Sequence, residues 1–229
     1  MNRRFRHIFF DLDHTLWDFD KNSAEVLSHL YAHFNLQALF TLDDFIGKFK
    51  EVNRRLWDLY HMGQLAKDQI REDRFRLIFS ELKARSLPPE DIAGKYLQLC
   101  PLRANTMPYA IETLRYLKQK YSLHIITNGF EDVQQVKLKS AGLLEFFDHV
   151  ITSESCGYIK PHENIFRYAL NAASAKPAES VMIGDNYEID VEGARKAGMK
   201  AIFYNPFRLD CKDGEADQIA CLSELMEIL

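Results

Sequence analysis

The sequence predicts an α/β fold: a Rossmann-like parallel sheet with helices on both faces, plus an inserted all-helical cap domain after the first strand. Two patterns predict it. Over residues 104–229, short apolar runs alternate with segments of helix length, as in parallel sheets joined by helical crossovers. One earlier apolar run is followed by a block with helical periodicity and almost no strand signal. The predicted domains are therefore residues 1–16 with 104–229 for the α/β core, and residues 17–103 for the cap.

Five predicted strands are short, apolar and ended by polar residues. They cover residues 5–10, 123–126, 149–152, 180–183 and 200–204. The segments between and after them show helical periodicity. Their predicted helices cover residues 108–120, 131–140, 163–173, 189–197 and about 222–228. Strands separated by helix-length connections favour a parallel sheet.

The predicted cap is built of helices alone. These cover residues 23–34, about 41–60 and about 67–84, with a further helix opened by Pro88-Pro89-Glu90. The second begins at a clear signal, because Thr41 can cap it and Asp44 follows three residues later. Gly63 is expected to end that helix.

Composition excludes several functional classes. The net charge of -4 and pI near 6.1 argue against nucleic-acid binding driven by overall charge. No segment approaches the ~20 apolar residues of a membrane span. The four cysteines form no CxxC pair, so zinc and redox motifs are not expected. A cytoplasmic location with reduced thiols is expected instead. The cysteines are Cys100, Cys156, Cys211 and Cys221.

Unusual polar residues follow the predicted strands. In an open α/β sheet, ligands bind at the carboxyl ends of the strands, so these residues should meet at one edge. They are Asp11, Asp13, His14 and Thr15 after the first strand, Thr127 and Asn128 after the second, Lys160 after the third, and Asp185, Asn186 and Asp190 after the fourth.

Such a set has a chemical logic. Asp11, Asp13 and Asp185 would make a strongly negative pocket, which is costly unless a cation neutralises it. Oxygen ligands suit Mg²⁺. Lys160 and Thr127 are suited to holding phosphate. One aspartate can attack phosphorus, and a second acid can protonate the leaving oxygen and then activate water.

With these motifs in order, the chain resembles the haloacid dehalogenase superfamily of phosphohydrolases. The matching phrases are DLDHT for the family's DxDxT, ITNG for its strand-terminal Thr or Ser, IKP for its lysine, and GDNYEID for GDxxxxD. The helical block resembles the family's cap of the first type. The finer resemblance is to bacterial pyrimidine 5′-nucleotidases, through DLDHTLWDF, ITNGF, YIKPHENIF and GDNYEIDVEGARKAGM.

The resemblance implies a role for each residue. Asp11 is the nucleophile and a Mg²⁺ ligand, and Asp13 is the general acid/base, whose backbone carbonyl also ligates the metal. Asp185 is a further metal ligand. Thr127 and Lys160 are expected to hold the phosphate, and Asn128 to contact the substrate. Thr15, Asn186 and Asp190 are expected to support the site. The implied function is Mg²⁺-dependent hydrolysis of a small phosphate ester, first a nucleoside 5′-monophosphate, by a monomer or homodimer without nucleic-acid or membrane partners.

Other interpretations of the same residues stay open. Asp11 and Asp13 could form a cap or Asx turn, and Asn128-Gly129 an ordinary turn. Trp17 is a candidate substrate contact, as are Asn22, Arg54 and Trp57 in the helical block, although packing or solvent exposure is the simpler interpretation of Trp57 and Arg54. Alternative functions are a phosphosugar phosphatase or phosphomutase, a metal-free haloacid dehalogenase, which Asp13 argues against, and a receiver-like phosphorylation switch.

Overall fold

The computed structural model describes residues 5–84, 88–209 and 217–229. The chain divides into two compact units: one is formed by its two ends, up to Phe19 and from Ala104, and the other by Asp20–Arg103. The predicted boundary after residue 16 therefore differs by three residues. Trp17 stays with the first unit because it forms bridges with Asp13 and Thr106.

A six-stranded sheet forms the centre of the first unit, in the order β3-β2-β1-β4-β5-β6 with every neighbouring pair parallel. The strands are β1 (His7–Phe10), β2 (Ser122–Thr127), β3 (His149–Thr152), β4 (Ser180–Gly184), β5 (Lys200–Tyr204) and β6 (Asp217–Ile219). This confirms the predicted parallel α/β architecture. Only β6 is unpredicted, since its three residues have too little apolar character to signal a strand.

The central position of β1 follows from its sequence. Ile8, Phe9 and Phe10 are wholly buried, and a continuous apolar run is what a strand covered on both faces requires. β1 lies between β2 and β4, with Phe10 level with Ile125 and Ile183. The carboxyl ends of these three strands are therefore adjacent, which brings together the loops that begin at Asp11, Asn128 and Asp185.

Helices connect the strands of this unit. They are α5 (Ala110–Lys118), α6 (Glu131–Ser140), α7 (Ser153–Cys156), α8 (Glu163–Ala172), a π-helical turn (Tyr187–Glu192), α9 (Gly193–Lys196) and α10 (Leu225–Ile228). Short 3₁₀ turns cover Leu144–Phe146, Pro177–Glu179 and Leu222–Glu224. Much of the core packs around Phe9, Ile126, Phe166, Met182 and Phe203.

The segment predicted as one helix over 189–197 is instead the π-helical turn followed by α9. Such wide turns occur frequently at functional sites, and this one contains Asp190. A glycine is needed where α9 begins, because a Cβ at Gly193 would lie 2.7 Å from the Phe166 ring. The sequence GDNYEIDVEGARK thus folds as two short helical pieces packed closely on α8.

The second unit consists of helices, as predicted. They are α1 (Phe19–His33, which begins one residue before the unit), α2 (Leu42–His61), α3 (Lys67–Glu81) and α4 (Pro89–Leu99), with 3₁₀ turns at Leu36–Ala38 and Cys100–Leu102. Thr41 and Asp44 form the expected capping box on α2. Aromatic rings of α2 and α3 fill its core, namely Phe45, Phe49, Phe75 and Phe79. Among the described residues, no helix combines the length and apolar character needed to cross a membrane.

Candidate active site

Asp11 and Lys160 form the centre of the site. Lys160 Nζ lies 2.6 Å from Asp11 Oδ1 and 2.7 Å from Asp190 Oδ1, and the lysine side chain is 2% exposed. Burial raises the pKa of Asp11 to about 7, against the opposing attraction of Lys160. Burial also disfavours the charged lysine, but Asp11 and Asp190 outweigh it and hold the pKa of Lys160 above its usual value. The loops after β1, β3 and β4 therefore meet at one ammonium group.

A third carboxylate, Asp185, is held beside them by Thr15. Thr15 Oγ1 lies 3.1 Å from Asp185 Oδ1 and accepts a hydrogen bond from the Asp185 backbone N–H at 3.1 Å. The same hydroxyl is 3.5 Å from Asp11 Oδ2, at the limit of a hydrogen bond. Thr15, predicted as a supporting residue, therefore links the loops after β1 and β4.

The acidic side chains have the composition of a divalent-cation site. Asp11, Asp185 and Asp190 each offer one oxygen, and these oxygens all lie within 4.8 Å of one another. Burial and the neighbouring charge of Asp11 raise the pKa of Asp185 well above its usual value. Three clustered carboxylates face one lysine, so a divalent cation would relieve their repulsion, and an all-oxygen donor set fits Mg²⁺.

The Asp13 side chain lies outside the carboxylate cluster that it was expected to share with Asp11 and Asp185. Its carboxylate points to helix α6, where Lys137 Nζ lies 2.6 Å from Oδ1 and Gln134 Nε2 lies 2.9 Å from Oδ2. Burial disfavours the charged form, but Lys137 and Gln134 outweigh it and hold the pKa of Asp13 below its usual value. The carboxylate cluster therefore includes Asp190 in place of the Asp13 side chain. Metal ligation by the Asp13 backbone carbonyl stays a prediction.

The Thr127 hydroxyl, at the end of β2, is oriented to donate a hydrogen bond. Its Oγ1 accepts from the Gly129 backbone N–H at 3.0 Å and from Gln134 Nε2 at 2.8 Å. A hydroxyl has two acceptor lone pairs and one hydrogen. Because both lone pairs are used, the hydrogen remains available for an acceptor such as a phosphate oxygen.

Two asparagines hold backbone in place. Asn128 bonds the Lys160 backbone through both ends of its carboxamide. Asn186 accepts from the Ile189 N–H at 3.1 Å, and its own N–H donates to Asp190 Oδ2 at 3.1 Å. Asn186 therefore connects the start of the π-helical turn with Asp190. Its supporting role and the contact of Asn128 with a substrate stay predictions.

Gln134 and Lys137 were not predicted from the sequence. Both lie on α6, three residues apart, and are buried. Leu138 is buried beside them, so polar residues stand at core positions of an otherwise ordinary amphipathic helix. A polar residue at a buried position of a helical pattern is the signal that would have found them.

Trp17, predicted to contact a substrate, is wholly buried in this structure. Its ring centroid lies 4.4 Å from Lys137 Nζ. The ring is therefore engaged in packing and in a cation–π contact, and its contact with a substrate stays a prediction. His14 is exposed with a φ of 64°, and its ring lies 5.0 Å from that of Phe19.

The other candidate contacts lie in the helical unit. Asn22 is wholly buried in α1, and Arg54 is exposed on α2. Trp57 packs edge-on against Tyr60, with ring centroids 5.6 Å apart. Their roles in substrate binding stay predictions.

Known proteins resemble this chain over nearly its whole length. The model of the haloacid dehalogenase-like hydrolase family matches residues 5–198. Pyrimidine 5′-nucleotidase YjjG of Escherichia coli (strain K12) is 31% identical over 225 residues, covering 97% of this chain and 96% of that protein. A glyceraldehyde 3-phosphate phosphatase of Methanothermobacter thermautotrophicus is 30% identical over 235 residues, covering 97% of this chain and 98% of that protein.

A solved structure shows the same likeness in three dimensions. The HAD-hydrolase YfnB of Bacillus subtilis, described as bound to magnesium, superposes with a TM-score of 0.88 and 26% identity, and the match covers 98% of each chain. The likeness thus includes the inserted helices as well as the sheet unit.

Proposed function

The chain is a phosphatase of the haloacid dehalogenase-like hydrolase family, and we propose that it hydrolyses pyrimidine nucleoside 5′-monophosphates in a Mg²⁺-dependent reaction through an aspartyl-phosphate. One observation carries this proposal. The carboxylates of Asp11, Asp185 and Asp190 cluster at the adjacent ends of parallel strands, and the Lys160 ammonium pairs with two of them, Asp11 and Asp190. Asp11, which follows β1 and contacts Lys160, is the proposed nucleophile.

The first step transfers the phosphoryl group to the enzyme. A carboxylate oxygen of Asp11 attacks phosphorus and forms a new P–O bond while the bond to the leaving oxygen breaks. Asp13 has a pKa below its usual value, so it must take up a proton before this step. It gives that proton to the leaving oxygen, and the product leaves as an alcohol. Lys160 and the Thr127 hydroxyl hold the phosphoryl oxygens. Bound Mg²⁺ would supply positive charge that offsets repulsion between the carboxylates and the phosphate.

The second step restores the enzyme. Asp13, now deprotonated, takes a proton from a water molecule, and the water oxygen attacks phosphorus. The bond between phosphorus and the Asp11 oxygen breaks, and inorganic phosphate leaves. The sum of both steps is one ester and one water consumed, with one alcohol and one phosphate formed.

The substrate is the finer part of the proposal. The likeness to a pyrimidine 5′-nucleotidase of almost equal length supports a nucleotide. A second candidate is a phosphosugar such as glyceraldehyde 3-phosphate, because a relative of that name is almost as similar over as much of the chain. Both candidates use the same site chemistry and differ in the leaving group.

Phosphate release by the purified chain tests the proposal. The panel holds UMP, dUMP, dTMP, purine monophosphates and glyceraldehyde 3-phosphate, each with Mg²⁺ and with EDTA. We expect release to require Mg²⁺ and to be fastest with the pyrimidine monophosphates. Fastest release from glyceraldehyde 3-phosphate would keep the phosphatase chemistry and replace the nucleotide as substrate.

Two variants assign the nucleophile. Asp11→Asn should abolish release while the protein remains folded. Asp91→Asn is a matched control, because Asp91 is exposed in the first turn of α4 in the other unit. Turnover by Asp11→Asn would remove Asp11 from the mechanism.

A further inference from the structure

One helix sets the orientation of the Asp13 carboxylate. Lys137 and Gln134 share a face of α6, since residues three apart on a helix are neighbours. They contact different oxygens of Asp13, at 2.6 Å and 2.9 Å. Two contacts on two oxygens fix the plane of the carboxylate as well as its position.

Gln134 also joins Asp13 to Thr127. A carboxamide nitrogen carries two hydrogens, and Gln134 Nε2 lies within hydrogen-bond distance of both Asp13 Oδ2 and Thr127 Oγ1. This side chain is wholly buried. It therefore connects the proposed proton carrier with the hydroxyl proposed to hold phosphate.

The surroundings of Lys137 direct its charge to Asp13. Its ammonium lies 4.4 Å from the Trp17 ring centroid and 5.5 Å from that of Phe19. These rings attract a cation but offer it no carboxylate. Within the described part of the chain, Asp13 is the acidic partner of Lys137, and the lysine side chain is 7% exposed. Burying such a pair gains little stability. The orientation that the pair gives to the Asp13 carboxylate is therefore its main consequence.

We propose that Lys137 and Gln134 are positioning residues that orient the Asp13 carboxylate toward the leaving-group oxygen. Gln134 also fixes the position of Asp13 relative to the Thr127 hydroxyl. The inference rests on the proposed phosphatase function. In the step that it concerns, the proton passes from Asp13 to the leaving oxygen as the P–O bond breaks. Lys137 and Gln134 act through Asp13 and Thr127 and do not contact the reacting atoms.

The leaving group provides a test that separates positioning from folding. A nucleoside monophosphate releases an alkoxide, which needs the proton of Asp13, whereas p-nitrophenyl phosphate releases a stable phenolate, which needs it far less. Lys137→Met should lower kcat on the nucleotide by about 100-fold, within the range of general acid–base catalysis, and on p-nitrophenyl phosphate by less than about tenfold. KM should stay unchanged for both esters.

Gln134→Leu should behave differently from Lys137→Met. It removes the contact with Thr127 as well as that with Asp13, so KM should rise for both esters in addition to the fall in kcat on the nucleotide. Lys137→Arg keeps the charge and should recover part of the lost kcat. The matched control is Lys139→Met, because Lys139 is exposed on the same helix.

Several outcomes would overturn the inference. Equal losses on both esters for Lys137→Met would mean that the lysine only supports the fold. The same loss for Lys137→Met in an Asp13→Asn background would mean that it does not act through Asp13, since residues that act as a unit are not additive.

The contact itself can be tested without turnover. In ¹⁵N NMR of the full chain labelled at lysine, the Lys137 ammonium signal is assigned by its loss in Lys137→Met. It should shift in Asp13→Asn and not in Asp91→Asn, and an unshifted signal would refute the contact. If wild-type protein hydrolyses neither ester, the proposed function falls, and this spectrum still decides whether α6 holds Asp13.

Discussion

The carboxamide of Asn128 and the backbone of Lys160 form a closed pair of hydrogen bonds. The Lys160 N–H donates to Asn128 Oδ1 at 2.8 Å, and Asn128 Nδ2 donates to the Lys160 carbonyl at 3.0 Å. Both residues are buried. The residue that follows β2 therefore fixes the backbone of the lysine that contacts Asp11.

Replacing Asn128 by leucine should damage both stability and activity. Asn128→Leu leaves the N–H and C=O of Lys160 without these partners in a buried place, at about 1–3 kcal/mol for each group. We expect the free energy of unfolding to fall by about 2–6 kcal/mol and kcat to fall because Lys160 is displaced. Urea unfolding and phosphate release measure the two effects.

A second variant and a control sharpen this prediction. Asn128→Asp keeps an acceptor for the Lys160 N–H but places a buried carboxylate oxygen against the Lys160 carbonyl, so it should also lower stability. Asn171→Leu changes an exposed asparagine near the end of α8 and should leave both quantities near wild type. Wild-type stability of Asn128→Leu would show that the pair contributes nothing.

The residues around Lys160 could be predicted because each follows a strand. The order of β1, β2 and β4 places Asp11, Thr127 and Asp185 at the ends of neighbouring strands, and ligands bind at the carboxyl ends of parallel strands. The positions of these residues could therefore be predicted from local patterns combined with one general rule of topology.

Gln134 and Lys137 could not be predicted in the same way. They lie inside α6, where polar residues usually face solvent. Their burial results from the packing of α6 beside the loop that carries Asp13, which is more than 120 residues away in sequence for both (separations of 121 and 124). The burial of Trp17 has a similar origin, since its backbone forms a bridge with that of Thr106. Contacts over such separations leave no periodic signal.

Gly129 should be required because of Gln134 and not because of a turn. A Cβ on Gly129 would lie 1.8 Å from Gln134 Nε2, so Gly129→Ala must displace the Gln134 amide from Thr127 and Asp13. We expect a folded protein whose KM for its phosphate ester rises and whose kcat falls. Steady-state kinetics together with thermal unfolding measure this.

Gly47→Ala provides the matched comparison. Gly47 is exposed within α2, and a Cβ there meets nothing within 4 Å. Alanine should stabilise that helix by about 0.5–1 kcal/mol without changing KM. Unchanged kinetics for Gly129→Ala would show that the Gln134 amide can move without consequence.

Arg74 should lower the stability of the helical unit. It is 6% exposed, and it makes no hydrogen bond or ion pair with any residue in 5–84, 88–209 or 217–229. Its contacts are with the Phe49 and Tyr96 rings, at 5.6 Å and 5.7 Å, and burial lowers its pKa. Arg74→Met should raise the free energy of unfolding by on the order of 1 kcal/mol, because a charge without an ionic partner leaves the interior.

The control for Arg74 lies two residues along the same helix. Arg76 is exposed and pairs with Asp73 at 2.7 Å, so Arg76→Met should change stability by less than about 1 kcal/mol. Urea unfolding compares the two variants with wild type. A loss of stability in Arg74→Met would mean that its aromatic contacts outweigh the cost of its burial.

His124 should make the protein sensitive to acid. Its ring lies between those of His7 and His149, with centroids 5.4 Å from each, and 4.7 Å from that of Phe9. Burial, reinforced by the neighbouring histidines, lowers its pKa to about 3. The folded protein therefore keeps His124 neutral between about pH 6.5 and 3, where the unfolded chain binds the proton.

The direction of the pH effect follows from this difference. Stability that is fully present above pH 6.5 is lost as the pH falls toward 3, by at most about 1.4 kcal/mol for each pH unit for this one group. His124→Leu cannot bind the proton in either state, so its unfolding free energy should vary less with pH than that of wild type between pH 4.5 and 7. His29→Leu, which removes an exposed histidine of α1, should retain the wild-type slope. Equal slopes for wild type and His124→Leu in urea unfolding would assign the acid sensitivity to other groups, with His7, whose pKa burial also lowers, as the next one to replace.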